Sequence, residues 1–421
     1  MSRIALVSDH ASPLATLGGI DSGGQNVYVA HVAQQLGRLG FAVDVFTRRD
    51  NPLQRRAVEW LPNVRVVHVD AGPPCFVPKE RLLAHMTEFG EGMLAWAARH
   101  DLRYDLVHAN FFMSGVAGER AAKAWRAPLV MTFHALGEVR RRCQGEADAF
   151  PVERLAIERG LLARADRTIA ECPQDREDML KYYGADPARI SIVPCGYDPA
   201  EMFPVDRRIA RAELGWDARE FVVLQLGRIV PRKGIENVIR SMALLGQTAP
   251  ELAARLVIVG GNADEPSPEA TPEIGRLAGI AHALGIADRV RFLGRRRRHA
   301  LRAIYSAADV FVTTPWYEPF GITPLEAMAC GTPVIGSAVG GIKHTIEDGE
   351  SGLLVPPEDP AALAAAIAQL AREPVRRAAL ARQGLRRVHA YTWSGVAESI
   401  VDVYSSALDR GMPRKAAAGE S

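Results

Sequence analysis

The amino-acid sequence predicts an α/β protein of two doubly wound domains facing each other across a cleft, and three observations carry that expectation. The chain has 421 residues, more than one hydrophobic core usually accommodates, so two domains are expected. Short β-branched runs alternate with longer amphipathic stretches, the rhythm of parallel strands joined by crossover helices. That rhythm breaks at a proline-containing segment near residue 200 and begins again at Phe221.

In the first half, strands are expected at 3–8, 42–47, 64–69, 105–109, 128–132 and 167–171. After Gly24, the residues Val29, Val32, Ala33 and Leu36 recur at helical spacing and make one apolar face. Phe41-Ala-Val-Asp-Val-Phe46 then reads as the next strand, which completes a strand, glycine loop, helix, strand unit. Residues 190–205 end a strand and then carry three prolines and a glycine, the composition of a linker. The second half repeats the pattern with a strand from Phe221 and others at 255–260, 289–293, 309–313 and 333–336. Domains are therefore placed at 1–200 and 201–390, with surface helices over 361–387. A helix over 391–410 carries Trp393, Val396, Ile400, Val403 and Tyr404 on one stripe and is expected to pack back across the domains, ahead of a disordered tail at 411–421.

Composition narrows the function classes. A formal charge of +2 is too mild for a nucleic-acid binder, so the basic runs Arg140 to Arg142 and Arg295 to Arg298 read as solvated or phosphate-facing edges. The five cysteines, Cys75, Cys143, Cys172, Cys195 and Cys330, lack any C-x-x-C pair, so neither a disulfide framework nor a zinc site is indicated and buried positions are expected. No signal-peptide pattern opens the chain, and no apolar run approaches the length that spans a bilayer. The cytoplasm is the expected compartment. The stretch Gly115 to Trp125, with Arg120 and Lys123, reads as an ordinary solvated helix face, with peripheral membrane contact as the alternative.

Ligands of open α/β sheets sit beyond the carboxyl ends of the strands, so chemistry is sought in the loops that follow them. After the strand near 310–313 comes Glu318-Pro-Phe-Gly-Ile-Thr-Pro-Leu-Glu326. Pro324 suits the first turn of a helix, and Gly331 ends it. Glycine and unpaired amides ahead of a helix receive hydroxyl and phosphate oxygens, and carboxylates eight residues apart suit a sugar hydroxyl and a ribose diol. On spacing alone the segment is also compatible with a plain helix cap carrying solvated glutamates. A second loop, Gln225-Leu-Gly-Arg-Ile-Val-Pro-Arg-Lys-Gly234, places Arg228 and Lys233 together as a diphosphate-binding pair or as surface charges, with Arg232 the weaker candidate. Gly18 to Asn26 form a glycine-rich turn after the first strand, whose Gly23 and Gly24 let backbone approach a ligand closely. His134 ends a central strand in Val130-Met-Thr-Phe-His-Ala-Leu-Gly137 and is either a structural hydrogen-bonder or part of the site, while His10 and His108 also close strands. No P-loop, G-x-S-x-G, H-E-x-x-H or Asp-x-Asp is present.

Taken in order, the glycine turn, the strand-ending His134, the Arg-x4-Lys loop and the Glu-x7-Glu loop resemble the retaining family 4 glycosyltransferases over essentially the whole chain. The resemblance implies the GT-B fold, two Rossmann-like domains with the acceptor on the first and the nucleotide sugar on the second. It implies that Arg228 and Lys233 bind the diphosphate, Glu318 a hexose hydroxyl and Glu326 the ribose. The amides of Phe320, Gly321 and Ile322 would meet sugar and phosphate, and the backbone at Arg295 would read the base. Gly23 and Gly24 would close on the diphosphate from the opposite domain, and His134 would lie over the hexose. Asp21-Ser-Gly-Gly-Gln-Asn-Val-Tyr-Val29 and His134-Ala-Leu-Gly-Glu-Val-Arg140 are similar to the sucrose-phosphate synthase and mycothiol-pathway branches. Asn26, Lys79 and Arg154 are thereby implied as acceptor-binding, whereas Phe111 and Ala135 stand where the mycothiol branch has a tyrosine and a threonine.

The expected activity is transfer of a hexosyl group, from UDP-glucose in the first instance, to an acceptor hydroxyl with retained configuration. The acceptor would be a small sugar, sugar phosphate or polyol, with no cofactor, no metal and no nucleic-acid partner. The alternatives are a nucleotide-sugar epimerase of the same fold and a non-catalytic nucleotide-sugar sensor.

Overall fold

The structure is a computed structural model that describes residues 2–15, 23–145 and 148–411. The tail expected at 411–421 therefore lies, apart from its first residue, outside the described residues, as do Gly18, Gly19, Asp21 and Ser22 of the glycine turn.

Two sheets organise the chain. The first contains β1 (Arg3–Val7), β2 (Ala42–Arg48), β3 (Ala57–Leu61), β4 (Val64–Val69), β5 (Leu106–Asn110), β6 (Leu129–Thr132), β7 (Arg167–Ala170) and β8 (Ile190–Ile192), in the order β3-β4-β2-β1-β5-β6-β7-β8. Its pairings are parallel except at the β3 edge, which is antiparallel to β4. The second contains β9 (Phe221–Leu226), β10 (Ala254–Val259), β11 (Val290–Gly294), β12 (Val310–Thr313), β13 (Val334–Ser337) and β14 (Leu353–Val355), in the order β11-β10-β9-β12-β13-β14, all parallel. Strand order reverses between β1 and β5 in one sheet and between β9 and β12 in the other. These are the switch points at which an open α/β sheet leaves a crevice for a ligand.

The helix Gly24–Arg38 buries Val29, Val32, Ala33 and Leu36 against the first sheet, so the apolar spacing is used as a core face. The last helix, Trp393–Gly411, buries Trp393, Val396, Ile400, Val403 and Tyr404. It packs on the helix Gly24–Arg38 and near β6 and β7, and the Tyr404 hydroxyl lies 2.8 Å from Nδ1 of His108. A segment that follows the second sheet in sequence thus completes the core of the first. Cysteine burial departs from expectation, because Cys75 and Cys143 are exposed while Cys172, Cys195 and Cys330 are buried. Among the described residues no helix is long and apolar enough to cross a membrane. In the helix Phe112–Trp125, Arg120 pairs with Glu91 of the neighbouring helix at 2.8 Å, a surface contact.

Candidate functional site

A cavity of about 540 Å³ lies between the two sheets and is lined by loops that follow β1, β5, β6, β9 and β12. Gly234, at φ +65, lets the loop after β9 pass the loop after β12, since a Cβ there would stand 1.9 Å from the Thr314 carbonyl oxygen. Gly340 does the same for the other side of the site, where a Cβ would meet the Glu318 carbonyl at 1.9 Å and the following Gly341 N–H donates to that oxygen at 3.0 Å. The pair Gly340-Gly341 was not singled out from the sequence, although adjacent glycines just after a strand are the signal that could have found it.

Those two loops bring Arg228, Arg232, Lys233 and Glu318 together on the cavity wall. Lys233 Nζ is ion-paired with Glu318 Oε2, and Arg232 Nη1 lies 3.9 Å from the same oxygen. Burial pushes the Glu318 carboxyl up, but the fields of Lys233, Arg232 and Arg228 outweigh it and hold the group below the usual carboxylate range. Burial pushes Lys233 below its ordinary value, opposed by Glu318 and reinforced by the neighbouring arginines. Arg232, the weaker candidate by sequence, thus belongs to the same cluster as Arg228 and Lys233.

Helix Ile322–Ala329 starts two residues ahead of Pro324, which keeps Pro324 in its first turn and puts Glu326 in its second. Glu326 is 3% exposed; its Oε1 accepts from Arg298 Nη1 at 2.8 Å and its Oε2 from the Tyr305 hydroxyl at 3.0 Å. Each carboxylate oxygen has a second lone pair, so both contacts are compatible with a further ligand. Phe320, Gly321 and Ile322 line the cavity, with Phe320 otherwise packed into the core. Arg295 also lines it, and its N–H donates to the Ala263 carbonyl at 2.8 Å while Nε meets Asp264 at 3.0 Å.

From the first sheet, Gly23 and Gly24 approach the opposite wall: a Cβ on Gly23 would lie 3.4 Å from Arg228 Nε, and one on Gly24 would lie 3.8 Å from Ile322 Cδ1. Asn26 lines the cavity, but its Oδ1 accepts from Gly23 N at 2.9 Å and its Nδ2 donates to Ser12 O at 3.0 Å, so it braces the glycine turn. His134 lines the cavity in a left-handed backbone conformation, φ +59, with Nδ1 3.0 Å from Glu171 Oε1 and Nε2 3.0 Å from Asn110 Oδ1. His10 lines it too, its Nδ1 3.0 Å from the fully buried Asp9, whereas His108 is buried in the core.

Lys79 lines the cavity, and Arg154 does not. Arg154 is 2% exposed; its Nε donates to Glu158 at 2.7 Å, its Nη2 to the Ala135 carbonyl, and its guanidinium stacks among Phe111, Phe112 and Phe150. In this position the guanidinium is built into the wall behind Phe111 and Ala135 and does not itself face the cavity. The cation that lines this part of the cavity beside Lys79 is Arg140, paired with Asp148 at 2.8 Å.

Behind His134, Asp175 accepts from Glu171 N at 3.0 Å, and burial together with the Glu171 charge raises its carboxyl to about 8. A native pKa above the unfolded value means the folded chain binds the extra proton. The associated stability is present below about pH 4 and is lost as pH rises toward 8. Asp175→Asn keeps an acceptor for Glu171 N and removes that loss. Thermal melts should show the variant above wild type at pH 9, by about 1 to 2 °C for each kcal/mol recovered, with the two converging near pH 4. Equal differences at both pH values would contradict the assignment.

Comparison with known proteins places this geometry. Residues 22–201 match the model of Glycosyltransferase Family 4, and residues 206–387 match that of Glycosyl transferases group 1. A D-inositol 3-phosphate glycosyltransferase of Kineococcus radiotolerans is 40% identical over 99% of this chain and 98% of its own. The chain belongs to glycosyltransferase family 4. A second D-inositol 3-phosphate glycosyltransferase, from Actinosynnema mirum, is 37% identical over 97% of this chain and 98% of its own. Among solved structures, the sucrose-phosphate synthase of Thermosynechococcus elongatus superposes with a TM-score of 0.89 at 35% identity, over 97% of this glycosyltransferase and 100% of that chain. Anabaena HepE in complex with UDP-glucose shares the fold, with a TM-score of 0.75 at 22% identity over 96% and 100% of the two chains. The two-domain GT-B architecture is thereby established.

Proposed function

We propose that this glycosyltransferase moves a hexosyl group from a nucleotide diphosphate sugar, UDP-glucose in the first instance, to a hydroxyl of a small phosphorylated sugar or polyol, with retained configuration. The observation that carries the donor half is the convergence of Arg228, Arg232, Lys233 and Glu318 directly across the cavity from Gly23 and Gly24. A fork donor and a compact ammonium suit the charge that develops on a departing diphosphate, and the carboxylate among them suits a sugar hydroxyl. The anionic acceptor rests on Lys79 and Arg140 lining the first-sheet side, and on relatives named for phosphorylated substrates or products.

The decisive test is a donor and acceptor matrix with mass detection. It crosses UDP- and ADP-linked hexoses with D-inositol 3-phosphate, hexose phosphates and their unphosphorylated counterparts. Release of nucleotide diphosphate with a new phosphorylated glycoside is expected. Donor isomerisation without glycoside would indicate an epimerase, and binding without turnover a sensor. NMR of the product's anomeric centre reports the stereochemistry. Because protein cations supply the charge compensation, EDTA should leave most of the activity intact, and complete loss on chelation would overturn that account.

A further inference from the structure

Arg298, in the sequence the last residue of a basic run, occupies a junction in the fold. It opens the helix Arg298–Ala307, lines the cavity, and spreads its guanidinium between carboxylates from different parts of the chain. Nη1 donates to Glu326 Oε1 at 2.8 Å, and Nε is ion-paired with Glu201 Oε2. Nη2 is buried with no hydrogen-bond partner among the described residues, so the group is held by the other nitrogens. Glu201 lies in the crossover between the two sheets and does not line the cavity. Its Oε2 also stands 4.0 Å from Nε2 of His31, which stacks on Trp393 with ring centroids 5.1 Å apart. Burial, helped by the Arg298 charge, pushes the His31 imidazole down to about 4, so at neutral pH the charged partner of Glu201 in this junction is Arg298.

We propose that Arg298 is a donor-positioning residue that orients Glu326 toward the nucleotide and ties that carboxylate, through Glu201, to the crossover between the domains. The physical reason is that a planar guanidinium fixes the direction of each N–H it donates. With Nε held by Glu201, Nη1 can fix Glu326 Oε1 in only one orientation, and the Tyr305 hydroxyl fixes the other oxygen. The lone pairs left over then point in a defined direction. The same constraint runs in reverse: a nucleotide that engages Glu326 stiffens Arg298, Glu201 and the segment that joins the two sheets. The inference rests on the nucleotide-sugar reading of the cavity.

The test uses the full-length chain with UDP and UDP-glucose as probes, reading Kd by calorimetry and KM for donor and acceptor separately. Arg298→Lys and Arg298→Gln should raise Kd for UDP and KM for the donor by ten-fold or more, with Lys no better than Gln because the fork is lost. Acceptor KM should stay within about two-fold. Glu201→Gln, outside the cavity, should raise donor KM several-fold, and in the double variant with Arg298→Gln it should add nothing further. Unchanged donor KM in Glu201→Gln, with an unaltered melting curve, would overturn the coupling. Equal losses for donor and acceptor would mark a merely structural role and overturn the positioning. If wild type itself fails to bind UDP or any nucleotide sugar, the donor reading fails, whereas a wild type that binds alongside variants that bind equally well sinks only this inference.

Discussion

Replacement of Lys233 by alanine is expected to lower turnover by roughly 10²- to 10³-fold, about 3 to 4 kcal/mol, which is the loss seen when one preorganised donor is removed from a developing negative charge. The ammonium sits in the short turn Pro231–Lys233 and its Nζ is held against Glu318, so its position is set before any ligand arrives. Stability should change far less than turnover. Arg232 and Arg228 still act on Glu318 in the variant, so the carboxylate is not left among apolar groups without counter-charge. Lys233→Arg restores a charge but not the compact point donor, and partial recovery is expected. Steady-state kinetics at saturating donor, with circular dichroism melts of the same samples, separate the effects. Turnover within three-fold of wild type would remove Lys233 from the catalytic group.

Much of this site was legible because its parts follow strands whose apolar runs are strong. The runs ending at Leu226 and Thr313 announce the loops that carry Arg228, Lys233 and Glu318, and the chemistry of those loops is local in sequence. Contacts made across the fold were not legible. Glu326 reads as a ligand from spacing, but nothing near it in sequence indicates Arg298 or Tyr305, which reach it from a helix ending about twenty residues earlier. The strand β3 is not legible in the sequence because it is a short, half-exposed edge without a clean alternation of burial, and β14 because it has only 3 residues. The exposure of Cys75 and Cys143 is not legible because composition alone carries no information about which loops stay on the surface. Arg154 shows the converse problem: a motif match supplies a role, and the rings that enclose the side chain come from separate elements.

Arg154→Met is therefore expected to destabilise the chain by about 3 to 5 kcal/mol, the cost of breaking a buried ion pair from one side. Glu158 is fully buried and, among the described residues, would keep Gly137 N, at 2.9 Å, and the Tyr183 hydroxyl as its hydrogen-bond donors once the Arg154 charge is gone. The stacking of the guanidinium on Phe111, Phe112 and Phe150 would be lost as well. A urea midpoint within error of wild type would show that Arg154 is not built into the core in this way. Acceptor affinity should also fall, by an indirect route. Glu158 holds the first N–H of the helix Gly137–Gln144, and that helix carries Arg140 into the cavity wall. Glu158→Gln separates this route from direct contact. If Arg154 acts by fixing that helix, Arg154→Met and Glu158→Gln should raise KM for a phosphorylated acceptor together. If its guanidinium instead swings out to touch the acceptor phosphate, Glu158→Gln should release it and leave that KM unchanged or lower.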